Sequence, residues 1–293
     1  MNLAKIITHG GGAHRDDFLA CCLLLSECPA PIERRDPTED ELADASIAVV
    51  DIGHRHEPKN SNFDHHQFPR DAVPTCALSL VLQQLELYEH ARQFCDWLEA
   101  TEHFDCCGPK ETGEWIGVTP EQMRRLDSPI DPTILRLFSR QSAHLPGDPL
   151  WEIMRALGTE WAGYVRGMAG QIKFLAEHGE FWEIEQDGAT FEVFAILDRN
   201  SPLGDAGAGV GFHLKALQKD QSVVALACPD NRGEGFGLRK FNDSPVMEFT
   251  RLEGESDVHF AHKRGFIAKT SAQSTERLKE LLRMAYLGAG ERT

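Results

Sequence analysis

The chain has 293 residues, 41% of them hydrophobic, with 46 acidic against 30 basic side chains and a net charge of -16. That length and composition suit a globular protein of about two domains, and the acidic excess argues against sequence-independent wrapping of long nucleic acid. The sequence contains no run of eighteen apolar residues, no apolar leader and no CxxC pair among its eight cysteines. The expectation is therefore a cytoplasmic chain without a membrane span, with reduced cysteines serving as small apolar filler.

In chain order, "AKIITH" (4–9) reads as a buried strand, "GGGAH" as a glycine-rich turn, and "DDFLACCLLLSE" (16–27) as a buried helix with two carboxylates at its N-terminal end. "PIERRD" reads as a strand, "PTEDELADA" (37–45) as a short exposed helix and "SIAVVDIG" (46–53) as a β-branched strand. This alternation predicts an α/β fold: a mostly parallel sheet flanked by helices. Residues 75–104 read as helix broken once, "GPKETGEWIGVTPEQ" (108–122) as a loop, and "DPTILRLFS" and 149–179 as helices. From 181 the pattern turns to short strands around an Asp187-Gly188 turn, closed by the helix "STERLKELLRMAYLG". The predicted division is 1–180 for the α/β domain and 181–293 for a smaller mixed α+β domain.

Polar residues collect at the strand ends of the first domain. His9 ends the first strand, His14 and Asp16 open the following helix, Asp51 ends a later strand, and Asp64, His65 and His66 follow in "NFDHHQF". Taken singly, each has an ordinary reading: Asp16 as a helix cap, His9 as a loop histidine, Asp51 as a turn residue, and His54 and His56 as surface loop residues. Taken together they are costly without cations. Imidazole with several carboxylates and no thiolate suits a hard or borderline ion, with manganese, magnesium and cobalt as the choices. Five or six ligands exceed one site and suit a pair of ions sharing a carboxylate.

"THGGGAHRDD", "VVDIG" and "NSNFDHHQ" together resemble the DHH phosphoesterase superfamily, and within it the Myg-one (melanocyte proliferating gene one) exonuclease branch. The resemblance extends to "HFAHKRGFI", similar to a His-x-x-Gly-Phe-Ile element of the branch. It implies that His9, His14 and Asp51 hold one metal, and that Asp16, Asp51, His65 and a later carboxylate hold a second. His66 would contact the phosphate or leaving oxygen, with Asp64 orienting a histidine. The branch carries Asp-x-x-Asp-Asn-Gly where this chain has "EHFDCCG", so Asp105 is the favoured last ligand and Glu102 the second choice. The implied activity is a 3′-5′ exonuclease on short RNA or DNA, with two divalent ions, manganese first, activating the water.

Arg239, His262 and Arg264 are basic candidates for the substrate backbone, and Gly265 for its close approach. Phe266 is either a stacking face or core. The expected partner is a short oligonucleotide or small phosphoester, and a homodimer is left open. Two other readings are carried: hydrolysis of a cyclic dinucleotide or pyrophosphate at the same metals, and a non-catalytic metal-binding module on the same fold.

Overall fold

A computed structural model describes residues 2–126 and 128–288. They divide into two compact units, Met1–Arg166 and Gly167–Thr293. The division falls inside one long helix, Pro149–His178, whereas the change from helix to strand falls at Gly179.

The first unit contains strands β1 (Lys5–Thr8), β2 (Ile32–Arg34), β3 (Ile47–Val50), β4 (His56–Glu57), β5 (Asn62–Phe63) and β6 (Ala143–His144). Its helices are α1 (Arg15–Glu27), α2 (Glu39–Ala43), α3 (Ala77–Gln84), α4 (Tyr88–Phe94), α5 (Trp97–Ile116), α6 (Pro120–Leu126), α7 (Ile130–Ser139) and the start of α8 (Pro149–His178). The strand order is β4-β5-β3-β1-β2-β6. β5, β3, β1 and β2 run parallel, and the two edge strands run antiparallel to them. Ile6, Ile7, Ala48, Val49 and Val50 are all fully buried, as continuous apolar strands must be when both sheet faces are covered. α1 is buried almost all round, from Phe18 to Leu25. α8 approaches it so closely that a Cβ built on Gly158 would lie 1.8 Å from the Cys22 carbonyl oxygen. α2 begins at a Thr38–Glu41 capping box.

The stretch 108–122 departs from its expected loop. α5 runs on to Ile116 and α6 starts at Pro120. Gly108 takes a left-handed φ of 78° and Pro109 begins the second segment of α5, so the Gly-Pro pair bends the helix without ending it. The helical region before it is interrupted twice, around Glu86 and around Cys95–Asp96, where one break was expected.

The second unit carries β7 (Gly179–Gln186), β8 (Ala189–Ile196), α9 (Val210–Ala216), β9 (Val223–Pro229), β10 (Phe236–Lys240), β11 (Val258–Ala261), β12 (Ile267–Thr270) and α10 (Thr275–Ala285). Its sheet is ordered β11-β12-β10-β9-β8-β7. All neighbours are antiparallel except β8 and β9, between which α9 lies in the chain. One core cluster includes Trp182, Val193, Ala225 and Leu238 with Leu278, Leu281 and Leu282 of α10. Another joins Phe194, Ile196 and Leu226 to Val210 and Leu214 of α9. The two-faced sheet makes this unit mixed α+β. Among the described residues, no helix is long and apolar enough to cross a membrane.

Candidate metal centre

Three neighbouring parallel strands, β5, β3 and β1, end at one edge of the sheet, and the residue after each is polar: Asp64, Asp51 and His9. Ligands in such sheets bind beyond the carboxyl ends of strands. α1 starts beside the same edge and delivers His14, Asp16 and Asp17; α5 delivers Asp105. Asp51 leaves β3 with a left-handed φ of 58°, while its N–H still donates to the Phe63 carbonyl at 3.0 Å. The backbone therefore turns sharply at a residue that the sheet still holds.

His9 Nε2 lies 3.2 Å from Asp17 Oδ2 and 3.5 Å from Asp51 Oδ2. Neither approach is directed as a hydrogen bond, so His9 Nε2 and Asp17 Oδ2 are buried without a hydrogen-bond partner. Asp17 Oδ1 accepts the backbone N–H groups of His14 and Phe18 at 2.8 Å each. Asp17 is thus the residue that binds the free N–H at the helix start, leaving Asp16 for other work. Asp16 is 1% exposed; its Oδ2 accepts the Ala77 N–H at 3.3 Å, and its Oδ1 has no partner. Asp105 lies near both His14 and His65, with His14 Nδ1 at 3.9 Å from its Oδ1 and His65 Nε2 at 3.1 Å from its Oδ2. His65 Nε2 is also 3.1 Å from Asp51 Oδ1.

Asp64 is buried and does not reach for an open position. Its Oδ2 accepts the His54 backbone N–H at 2.7 Å, and its Oδ1 accepts the His66 backbone N–H and faces His66 Nδ1 at 2.7 Å. His66 is half exposed. Glu102, the second choice for the last ligand, is committed elsewhere: its Oε1 accepts from the Ser79 hydroxyl at 2.5 Å and the Tyr88 hydroxyl at 2.8 Å. Of the two acidic residues near the end of "EHFDCCG", the structure brings Asp105 to the histidines.

Four overlapping groups offer ligand atoms within 4.8 Å of one another: His9 with His14 and Asp51; His14 with Asp16 and Asp105; Asp51 with Asp64, His65 and His66; and His65 with Asp105 and Cys106. The electrostatics match the crowding. Burial first, and then the charges of Asp51 and Asp105, push Asp16 well above the usual carboxylate range. Burial likewise raises Asp51. Burial alone would raise Asp64 and Asp105 too, but hydrogen bonds from His66 and His54 hold Asp64 low, and His65 and then His14 hold Asp105 low. The Asp17 carboxylate, working against burial, pushes His9 up to about 9. Burial would lower His65, but Asp105 and Asp51 push it up to about 12. Proton affinity at His9 and His65, raised by the neighbouring carboxylates, offsets part of the acidic charge. Buried oxygens and a ring nitrogen without partners are what a cation-binding set looks like before it is filled. A cavity of about 310 Å³ opens at His9, His14 and Asp51, its other lining residues being Ile52, Gly53, His54, Asp64 and His66.

Sequence reasoning missed three contributors. Arg34, the 4%-exposed last residue of β2, donates to the carbonyls of Gly11 and Gly12 at 3.1 and 3.4 Å and stacks on Phe138; it pins the glycine loop between His9 and His14. Asp17 was grouped with Asp16 as a helix-end charge. Cys106, read with the other cysteines as filler, is exposed and stands beside His65. All eight cysteines are free.

The remaining candidates belong to the second unit. Arg239 on β10 is half-buried and donates to the Gly207 carbonyl at 3.4 Å. His262, Arg264 and Gly265 form the tight turn between β11 and β12. Arg264 is exposed, its N–H donating to His262 Nδ1 at 3.2 Å. Gly265 has a φ of 62°, and the space its Cβ would need is filled by the Glu248 carboxylate. Phe266 is 40% exposed with its ring 4.1 Å from that of His262, so it is not core.

Residues 5–75 match the family model MYG1_exonuc, described as "Uncharacterised protein family (UPF0160)". Proteins named "MYG1 exonuclease" from Homo sapiens, Mus musculus and Bos taurus are each 46% identical to this chain over 67 residues, covering 22% of this chain and 17% of the relative. The aligned stretch is thus about a sixth of the length of those relatives. The family match takes in β1 to β5 and every candidate ligand of the first unit except Glu102, Asp105 and Cys106.

Proposed function

We propose that this protein is a divalent-metal-dependent phosphodiesterase that removes nucleotides from the 3′ end of short RNA or DNA. The single observation that carries the reading is the convergence of His9, His14, Asp16, Asp51, His65 and Asp105 at one sheet edge, with His9 Nε2 and Asp16 Oδ1 buried and without a directed hydrogen bond. The relatives matched over the same stretch bear the name exonuclease. In this reading His9, His14 and Asp51 hold one cation and Asp16, Asp51, His65 and Asp105 a second, with Asp51 shared. Manganese is the ion proposed first, on donor type. Two such ions, when bound, supply an activated water and neutralise charge on the phosphate oxygens.

The chain's own groups supply the rest. Asp64 fixes the His66 ring through Nδ1 and leaves Nε2 to face a phosphate or leaving oxygen in the cavity. Asp17 and Arg34 hold the start of α1 and the glycine loop, and so set the spacing of His9 and His14. The exposed Arg264 offers charge, and the neighbouring His262 a ring nitrogen, to a substrate backbone in the second unit. The test is release of mononucleotide from 5′-labelled short RNA and DNA oligomers with manganese and with chelator. Stepwise shortening that needs manganese supports the reading. Intact oligomers under both conditions, with cyclic dinucleotide or pyrophosphate cleaved instead, would replace the proposed substrate class.

A further inference from the structure

Of the cysteines in the first unit, Cys21, Cys22, Cys76 and Cys95 are buried, Cys28 and Cys107 are partly buried, and Cys106 is exposed, one residue past Asp105 on α5. Its Sγ is 3.9 Å from His65 Nδ1 and 3.5 Å from the Thr75 carbonyl oxygen. The other ring nitrogen of His65 faces Asp51 and Asp105, each at 3.1 Å. Nδ1 is thus the ring nitrogen beside the sulfur, and Nε2 the one beside the carboxylates. His65, Asp105 and Cys106 each offer a ligand atom, all within 4.8 Å of one another. Tetrahedral zinc, with Zn–S about 2.3 Å and Zn–N about 2.0–2.1 Å, has an S···N edge of about 3.6 Å. The separation found here is a few tenths of an ångström longer. The buried Asp16 Oδ1, for which no hydrogen bond is formed, lies with Asp105 in the neighbouring His14–Asp16–Asp105 group.

We propose that His65, the Asp105 carboxylate and Cys106 Sγ bind a thiophilic divalent cation of the zinc class. Soft thiolate selects such ions over manganese or magnesium. Binding exchanges the S–H bond for a sulfur–metal bond and releases the proton to solvent. Asp105 and His65 also belong to the second hard-cation position, so occupancy by the thiophilic ion competes with it and slows hydrolysis. That consequence rests on the proposed function; the binding itself does not.

The test uses cobalt(II) alone, added to the full chain after chelator treatment, with absorption spectra of wild type, Cys106→Ser and Cys107→Ser. A thiolate-to-cobalt charge-transfer band in wild type and Cys107→Ser, lost in Cys106→Ser and displaced by added zinc, is the expected result. Alkylating the Cys107→Ser protein before cobalt should also remove the band, so the result does not depend on one variant folding. Cobalt bound without that band, or a band that survives in Cys106→Ser, overturns this inference and leaves the two-cation reading standing. A wild-type chain that binds no cobalt at all overturns both.

Discussion

At the scale of single residues, the site separates groups that would hold cations from groups that hold those groups. Asp51 faces His9 and His65 at once, so Asp51→Asn should abolish tight manganese binding and turnover together; isothermal titration with manganese and the oligomer assay check both. His66 sits at the cavity with Asp64 behind it. His66→Ala should keep manganese affinity and lose rate by roughly 10²- to 10⁴-fold, the range for a positioned proton-transfer group. Unchanged turnover in either variant would refute its assigned role. The protonation of His9 gives a prediction with a sign. Its folded value of about 9 exceeds the ordinary 6.5, so its stabilising contribution is complete below pH 6.5 and lost as pH rises through 9. In chelator, the melting temperature should fall across that window, while manganese affinity rises over it because each ion must displace protons. A melting temperature flat or rising from pH 6.5 to 9 would contradict this.

At the scale of elements, α1 is the part whose placement matters most, since its first turn carries His14, Asp16 and Asp17. Its position is set by the close approach of α8 at Gly158. Glycine to alanine in a helix ordinarily gains about 1 kcal/mol. Here the added methyl would collide with the Cys22 carbonyl, so Gly158→Ala should instead cost about 1–3 kcal/mol, read as a shift in the urea midpoint. The elements of the first fifty residues were legible because period and punctuation agreed: "KIIT" and "IAVV" are β-branched runs, and "TEDE" is a capping box. The middle was harder. Gly108-Pro109 looks like a terminator, yet a left-handed glycine followed by proline serves a bent helix equally well. α9, in "VGFHLKA" behind a glycine-rich stretch, gave too short a pattern to stand out. Asp105 could be favoured over Glu102 by resemblance, but what decides between them is three-dimensional: Ser79 and Tyr88 already claim the glutamate. Arg34 and Cys106 had no local signature, since their roles come from neighbours far along the chain.

At the scale of the whole molecule, charge is the property that acts at long range. A chain at net -16 repels polyanions outside any local site, and salt shortens the reach of that repulsion. At fixed manganese, raising ionic strength should therefore raise kcat/KM on a long single strand relative to a dinucleotide. A steep fall with salt, as for proteins that bind nucleic acid through many lysines and arginines, would show that a basic surface dominates instead. The charge was legible from composition alone, as was the α/β class from the order of elements. The convergence of residues 9, 51 and 64 was legible because parallel strands place their ends on one edge, although the chain separates them.

The left-handed turn at Asp51 has a consequence for how this gene can drift. Among side chains, asparagine and aspartate tolerate that backbone best after glycine, and both Asn and Gly lie one base change from an Asp codon. Two of the single-base neighbours of Asp51 are therefore ones that suit its backbone yet lack the carboxylate. Damage at this position would pass unseen through any screen for expression or solubility.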